Sequence, residues 1–302
     1  MQHAFEEHRE SSPYDTACRS AALCKAVLLA ATPFAASAAF AQIPPFDHVV
    51  VVVMENHSYA DIIGNTNDAP WINALAAYGA NFSSSFAIEH PSEPNYLDLF
   101  SGSNQGVTDD SCPHTFSNIA NLGSQLVAAG FTFVGYSEDL PAAKPKTCTS
   151  GNYARKHNPW VNFTNVPTAS NQSFAAFPSD FSYLPTLSFV VPNLCNDMHD
   201  CSIATGDAWL QAHIDPYAQW ARTHNSLLVL TWDEDDYSQS NQIPTLFSGA
   251  FVIPGSYPEE IDHYTVLATL EAIYGLTPIA GAATRSAITD VWDSTIFKAG
   301  FD

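Results

Sequence analysis

The sequence predicts an α/β fold, a three-layer α/β/α sandwich around a mostly parallel sheet, and three observations support it. Short apolar runs recur along the chain, helical segments separate them, and the runs at 49–54 and 227–232 both stop abruptly at polar, ligand-type side chains. Unbroken apolar runs suit strands covered on both faces, which is the situation of a parallel sheet.

The first run, from Val49 to Met54, is five valines and a methionine, and it meets Glu55, Asn56, His57 and Ser58 at once. Further strand-like runs occupy 82–88, 131–136, 187–191, 227–232 and 250–253. Helices are expected between them at 71–78, 96–100, 121–129, 207–223 and 264–274. The segment at 121–129 ends on Gly130, a natural C-cap, and Pro216 should kink the amphipathic stretch 207–223. Residues 141–183, rich in Pro, Asn and Ser, read as loops over the sheet, in the manner of a lid.

Residues 26–41 are alanine-rich and apolar, follow Arg19 and Lys25, and end in Ala39–Phe40–Ala41. That pattern predicts a signal peptide over 1–41, whose start reads either as over-extended or as an unusually long n-region, and a catalytic domain over 42–302. The stretch is short for a membrane span, so stable membrane insertion is not expected, and the protein should be exported, periplasmic or secreted. Beyond residue 41 there are 27 acids against 7 bases. Such a chain lacks the basic surface of a nucleic-acid binder, and a site for an anionic substrate would need concentrated positive charge. Four cysteines remain: an even number in an exported chain fits two disulfides, for which Cys195–Cys201 and Cys112–Cys148 are the favoured pairings.

The second run ends in four consecutive acids, Asp233, Glu234, Asp235 and Asp236. Acid runs are commonly solvated turns. Four like charges at a buried strand end repel one another, however, and a divalent cation among them relieves that cost. In open α/β sheets chemistry gathers beyond the carboxyl ends of strands, so Glu55 and Asn56 can join the later acids. Alternation along an extended chain makes it unfavourable for all four acids to face one ion, which leaves Asp235 and Asp236 to the turn.

Ser92 stands in His90–Pro91–Ser92–Glu93–Pro94 at the start of a helix. That is ordinary capping grammar, and equally a hydroxyl placed where a helix N-terminus favours an alkoxide and a phosphate. Histidines gather in the polar segments: His90, His157, His199 and His263, each a candidate proton donor. Arg155–Lys156 is the one adjacent basic pair after residue 41, and so a candidate for contacting an anionic group. His213 and His224 are assigned to structure.

These residues together carry a resemblance. Val-Val-Met-Glu55-Asn56-His-Ser, His90-Pro-Ser-Glu-Pro-Asn-Tyr96, Lys156-His-Asn-Pro-Trp160, Asn196-Asp-Met-His-Asp200, Thr231-Trp-Asp-Glu-Asp-Asp236 and His263-Tyr-Thr-Val-Leu resemble the bacterial phosphoesterase family. That family holds secreted acid phosphatases and phospholipases C on an alkaline-phosphatase-like fold. The chain is most similar to its small secreted acid phosphatases, which are associated with phosphatidylinositol 3-phosphate. The resemblance implies a divalent metal ion held by Glu55, Asn56, Ser92, Asp233 and Glu234, with Ser92 as nucleophile. It places His157 and His199 at the phosphate and His263 in a further motif position. His90, Arg155, Lys156 and His263 are the candidate substrate contacts. The sequence departs from phospholipase members at Ser58–Asp61 and Asp235–Tyr237, which favours a phosphate monoester as substrate. Two readings compete with it: a phospholipase C acting on diesters, and an exported cation-binding module without catalysis. The latter lacks a D-x-D-x-D-G loop.

Overall fold

The structure is a computed structural model that describes residues 43–143 and 146–293. The expected signal peptide lies outside the described residues. In chain order the elements are β1 (His48–Met54), α1 (Tyr59–Ile62), α2 (Pro70–Tyr78), β2 (Ala80–Phe86), α3 (Ser92–Ser101), α4 (Leu122–Ala128) and β3 (Phe133–Ser137). There follow β4 (Thr149–Ser150), β5 (Tyr153–Ala154), β6 (Asn171–Ser173), β7 (Leu187–Val191), α5 (Ile203–His213) and α6 (Asp215–Ala221). The last are β8 (Ser226–Trp232), β9 (Thr245–Gly249), β10 (Gly255–Asp262) and α7 (His263–Ile273).

Eight strands form one sheet in the order β10-β2-β9-β8-β1-β7-β3-β6. Only β9 runs against its neighbours β8 and β2; the other pairings are parallel. The five valines of β1 explain why it lies at the centre. β-branched side chains favour the extended chain, and both faces are apolar enough to be buried. Val49, Val51 and Val53 pack into a core with residues of α3, α4 and α7. Val50, Val52 and Met54 pack into a second core with α2, α5 and α6. Strand alternation thus assigns successive residues of one run to two separate cores, which makes the three layers.

Several expectations shift. The helix expected at 207–223 is two helices: Ile214 closes α5, and Pro216 sits in the first turn of α6, where its missing N–H costs nothing. No strand covers 250–253; Phe251 is buried against Phe46, and strands β9 and β10 flank the segment. β10 escaped detection because it carries Pro258, Glu259 and Glu260. It is an edge strand, and its pairing with β2 shifts register between Tyr257 and Glu260, which accommodates the proline. The segment 141–183 is more than loops: it supplies β6, the far edge of the sheet, and short 3-10 turns that carry His157 and Trp160. Both favoured disulfides are present, Cys112–Cys148 and Cys195–Cys201.

Candidate active site

Strand register builds the site. Met54 lies opposite Trp232 in the parallel pairing of β1 with β8, so Glu55 and Asp233 leave neighbouring strands at the same level. Two backbone hydrogen bonds continue the sheet past its formal end: Asp233 N–H donates to Met54 O (3.0 Å), and Glu55 N–H to Asp197 O (2.9 Å). Asn56 adopts a left-handed φ of 54°, a conformation asparagine tolerates better than most residues, and the chain turns over the acids. Its N–H donates to Asp233 Oδ1 at 3.1 Å and its side-chain amide to Glu234 Oε1 at 2.8 Å.

Ser92 is the first residue of α3, and Pro91 takes the cap position. Its side chain therefore does not cap the helix. The hydroxyl donates to Glu55 Oε2 at 3.0 Å, and Glu234 Oε1 is 3.4 Å away. Tyr96, one turn further on, donates its hydroxyl to Glu55 Oε1 at 2.5 Å. The buried His157 ring stacks on Tyr96, with Nε2 3.0 Å from Glu55 Oε1 and Nδ1 3.4 Å from Asp197 Oδ2.

Burial and mutual repulsion dominate the electrostatics. Glu55 and Asp197 are held well above the usual carboxylate range, first by burial and then by Asp233 among other neighbours. Burial likewise raises Asp233 and Glu234 to about 7, aided by Glu234 on the former and Asp110 on the latter. His157 is pushed well below its ordinary value by burial, with Lys156 and His199 adding repulsion.

The residues present fit a divalent cation. Asp233 Oδ2, Asp197 Oδ2 and His157 Nε2 are buried and make no hydrogen bond of good geometry, despite the close approaches of His157 to Glu55 and Asp197, a costly state for polar atoms. Glu55, His157 and Asp197 offer ligand atoms within 4.8 Å of one another. Glu55, Asn56, Ser92, Asp233 and Glu234 form an adjoining, oxygen-rich set of the kind hard divalent cations take.

The other expected residues fall in different places. His90 is hydrogen-bonded through Nδ1 to Glu234 Oε2 (2.6 Å), and its Nε2 faces Asp235 Oδ1 at 3.3 Å. Lys156 reaches Asp110 at 2.7 Å, and Asp110 also accepts the Glu93 N–H in the first turn of α3. His199 is partly exposed, pairs with Asp200 at 2.7 Å, and its ring centre is 6.1 Å from that of His157. The Arg155 guanidinium donates to Lys146 O, His114 O and Asn162 Oδ1, which ties it to the surrounding loops. His263 is buried beneath the site, with Nε2 3.0 Å from Trp232 O, and we assign it to supporting β8. Asp235 and Asp236 are turn residues, as alternation required. Asp235 accepts the N–H groups of Tyr237, Gln239 and Asn241, while exposed Asp236 accepts that of Ser238.

Three members of the cluster had no assigned part in the sequence reading: Asp197, Tyr96 and Asp110. Asp197 and Tyr96 lie inside motifs quoted for other residues. Asp110 sits in a loop whose position depends on the Cys112–Cys148 link, and no local pattern marks it.

The chain is 58% identical over 252 residues to the phosphatidylinositol-3-phosphatase of Mycobacterium tuberculosis, covering 83% of this chain and 84% of that protein. It is 30% identical to an acid phosphatase of Aspergillus fumigatus, over 76% of this chain but only 55% of the fungal one. Among solved structures it superposes on an alkaline phosphatase superfamily protein from Vibrio parahaemolyticus with a TM-score of 0.58 at 12% identity, covering 82% and 71% of the two chains. The lipoteichoic acid synthase LtaP from Listeria monocytogenes also gives 0.58, at 9% identity over 80% and 76%. These distant neighbours establish an alkaline-phosphatase-like fold. The phosphoesterase family model matches residues 65–277, a span that holds Ser92, His157, His199, Asp233 and Glu234, and the chain belongs to the phosphoesterase family.

Proposed function

We propose that the chain is an exported, divalent-cation-dependent acid phosphatase that hydrolyses phosphate monoesters through a phosphoserine intermediate. In this reading residues 1–41 are its signal peptide and 42–302 its catalytic domain, and phosphatidylinositol 3-phosphate is one candidate substrate, as the name of the mycobacterial relative suggests. The observation that carries the reading is the Ser92 hydroxyl, at the N-terminus of α3 and 3.0 Å from Glu55, inside a buried acid cluster with unpartnered ligand atoms.

Glu55, Asn56, Ser92, Asp233 and Glu234 would hold the cation, with His157 and Asp197 beside them. When bound, the cation supplies positive charge that offsets these acids and stabilises charge on phosphoryl oxygens. Ser92 Oγ attacks phosphorus in line with the leaving oxygen, losing its proton to Glu55 or Glu234; the Oγ–P bond forms as the ester P–O bond breaks. The N-terminal end of α3 and the Lys156 ammonium, oriented by Asp110, favour the non-bridging oxygens. Of the two candidate acids, His157 is held neutral by burial, whereas the partly exposed His199 pairs with Asp200 and suits proton donation to the leaving oxygen. Water then attacks the phosphoserine and gives a proton to His199; the Oγ–P bond breaks as Ser92 Oγ recovers its proton from Glu55 or Glu234, and phosphate leaves.

Inorganic phosphate release from p-nitrophenyl phosphate, with Ser92→Ala as control, tests the assignment. Trapping a phosphorylated Ser92 peptide by acid quench tests the intermediate. Release of diacylglycerol from phosphatidylcholine without inorganic phosphate would instead establish a phospholipase C. No turnover under any divalent cation or pH would leave the cation-binding module.

A further inference from the structure

We propose that Tyr237 is a specificity-determining platform at the mouth of the site, on which the ring of a cyclic leaving group stacks; the inference rests on the phosphomonoesterase reading above. Tyr237 is 73% exposed, unusual for so large an apolar ring. It lies in the loop that follows the acid run. Its backbone takes a φ of 67°, a strained conformation for a bulky residue.

That conformation is held in place. The Asp235 carboxylate accepts the N–H groups of Tyr237 (2.7 Å), Gln239 (2.8 Å) and Asn241 (3.0 Å), so a buried acid fixes the loop from beneath. The Tyr237 ring lies flat on His90, with centroids 3.9 Å apart and planes 18° from parallel. His90 is pinned in turn between Glu234 and Asp235. Tyr237 is thus tied through one ring to a candidate cation ligand, while most of its own surface is left open to solvent.

One run of contacts leads outward from the nucleophile, Ser92 to Glu234 (3.4 Å), Glu234 to His90 (2.6 Å) and His90 to the exposed Tyr237 ring (3.9 Å between centroids), so an ester with phosphorus at Ser92 has its alcohol portion on the Tyr237 side. A flat, pinned aromatic ring grips the face of another ring better than a short acyclic chain, because contact area is large and little entropy is lost. The ligand class is therefore a phosphate monoester of a six-membered ring, a cyclic polyol or an aryl group.

The test compares kcat and KM of wild type, Tyr237→Ala and Tyr237→Phe on myo-inositol 1-phosphate, p-nitrophenyl phosphate and glycerol 3-phosphate. For Tyr237→Ala we expect kcat/KM on the two ring esters to fall about five- to tenfold, mostly through KM, the size of a lost ring contact. Glycerol 3-phosphate should change less than about twofold, and Tyr237→Phe should retain the ring preference. An equal loss on all three esters, or no loss on any, would overturn the platform. Wild-type failure to release phosphate from any of them would instead overturn the phosphomonoesterase reading.

Discussion

The Ser92 hydroxyl points back from the first turn of α3 to Glu55 Oε2, 3.0 Å away, and so joins a helix N-terminus to the end of the central strand β1. A serine at a helix start ordinarily serves as a cap when it occupies the N-cap itself. Here Pro91 takes the cap and frees the hydroxyl for the acid cluster.

Removal of that hydroxyl, or of charge from the acid cluster it joins, should therefore abolish turnover without unfolding the protein. Ser92→Ala and Asp233→Asn are each expected to lower kcat on p-nitrophenyl phosphate by at least about 10³-fold, the scale of losing a nucleophile or its electrostatic support. Circular dichroism should stay unchanged.

Cation removal should act on stability as well as activity. Chelation is expected to stop phosphate release, and divalent cation at about 100 times its Kd should stabilise the fold by about 2.7 kcal/mol. In Asp233→Asn that thermal shift should shrink markedly, measured by differential scanning fluorimetry. An equal shift in wild type and variant would place the cation elsewhere.

The acid run should divide by function. Asp235→Ala removes the acceptor of three backbone N–H groups and should cost about 2–3 kcal/mol in urea unfolding. Asp236→Ala, at an exposed turn, should stay within about 0.5 kcal/mol.

Stability should fall as pH rises. Burial pushes Asp98 up to about 8, with Glu89 and Asp262 adding repulsion, and pushes Glu271 up to about 7. In the unfolded chain both titrate near about 4. Between those values the folded state binds more protons, so the stabilisation is complete below about pH 4 and is lost as pH rises to the folded values. Tm should drop between pH 5 and 8, and Glu271→Gln, which keeps the acceptor for Ile279 N–H, should flatten the slope.

Much of the fold was legible because burial imprints itself locally. The valine run of β1 and the apolar run of β8 identify strands with two covered faces, and an abrupt polar end identifies where chemistry can emerge. β10 was not legible: an exposed edge strand needs no apolar pattern and can hold a proline and two acids. The hidden break at Ile214 shows the same limit, since two helices in succession share one periodicity.

The candidate site divides along similar lines. By itself the sequence determined which residue types end the two strands, that Ser92 opens a helix, and which motifs place the chain beside phosphoesterases. Only the tertiary structure decided that Met54 and Trp232 are in register, which brings Glu55 and Asp233 together from opposite ends of the chain. It also tied Arg155 to loop carbonyls, set His263 against Trp232 O, and brought in Asp197, Tyr96 and Asp110. The reason is physical: local pattern reports whether a side chain is buried, whereas the direction of a polar side chain is set by partners that folding supplies from distant segments.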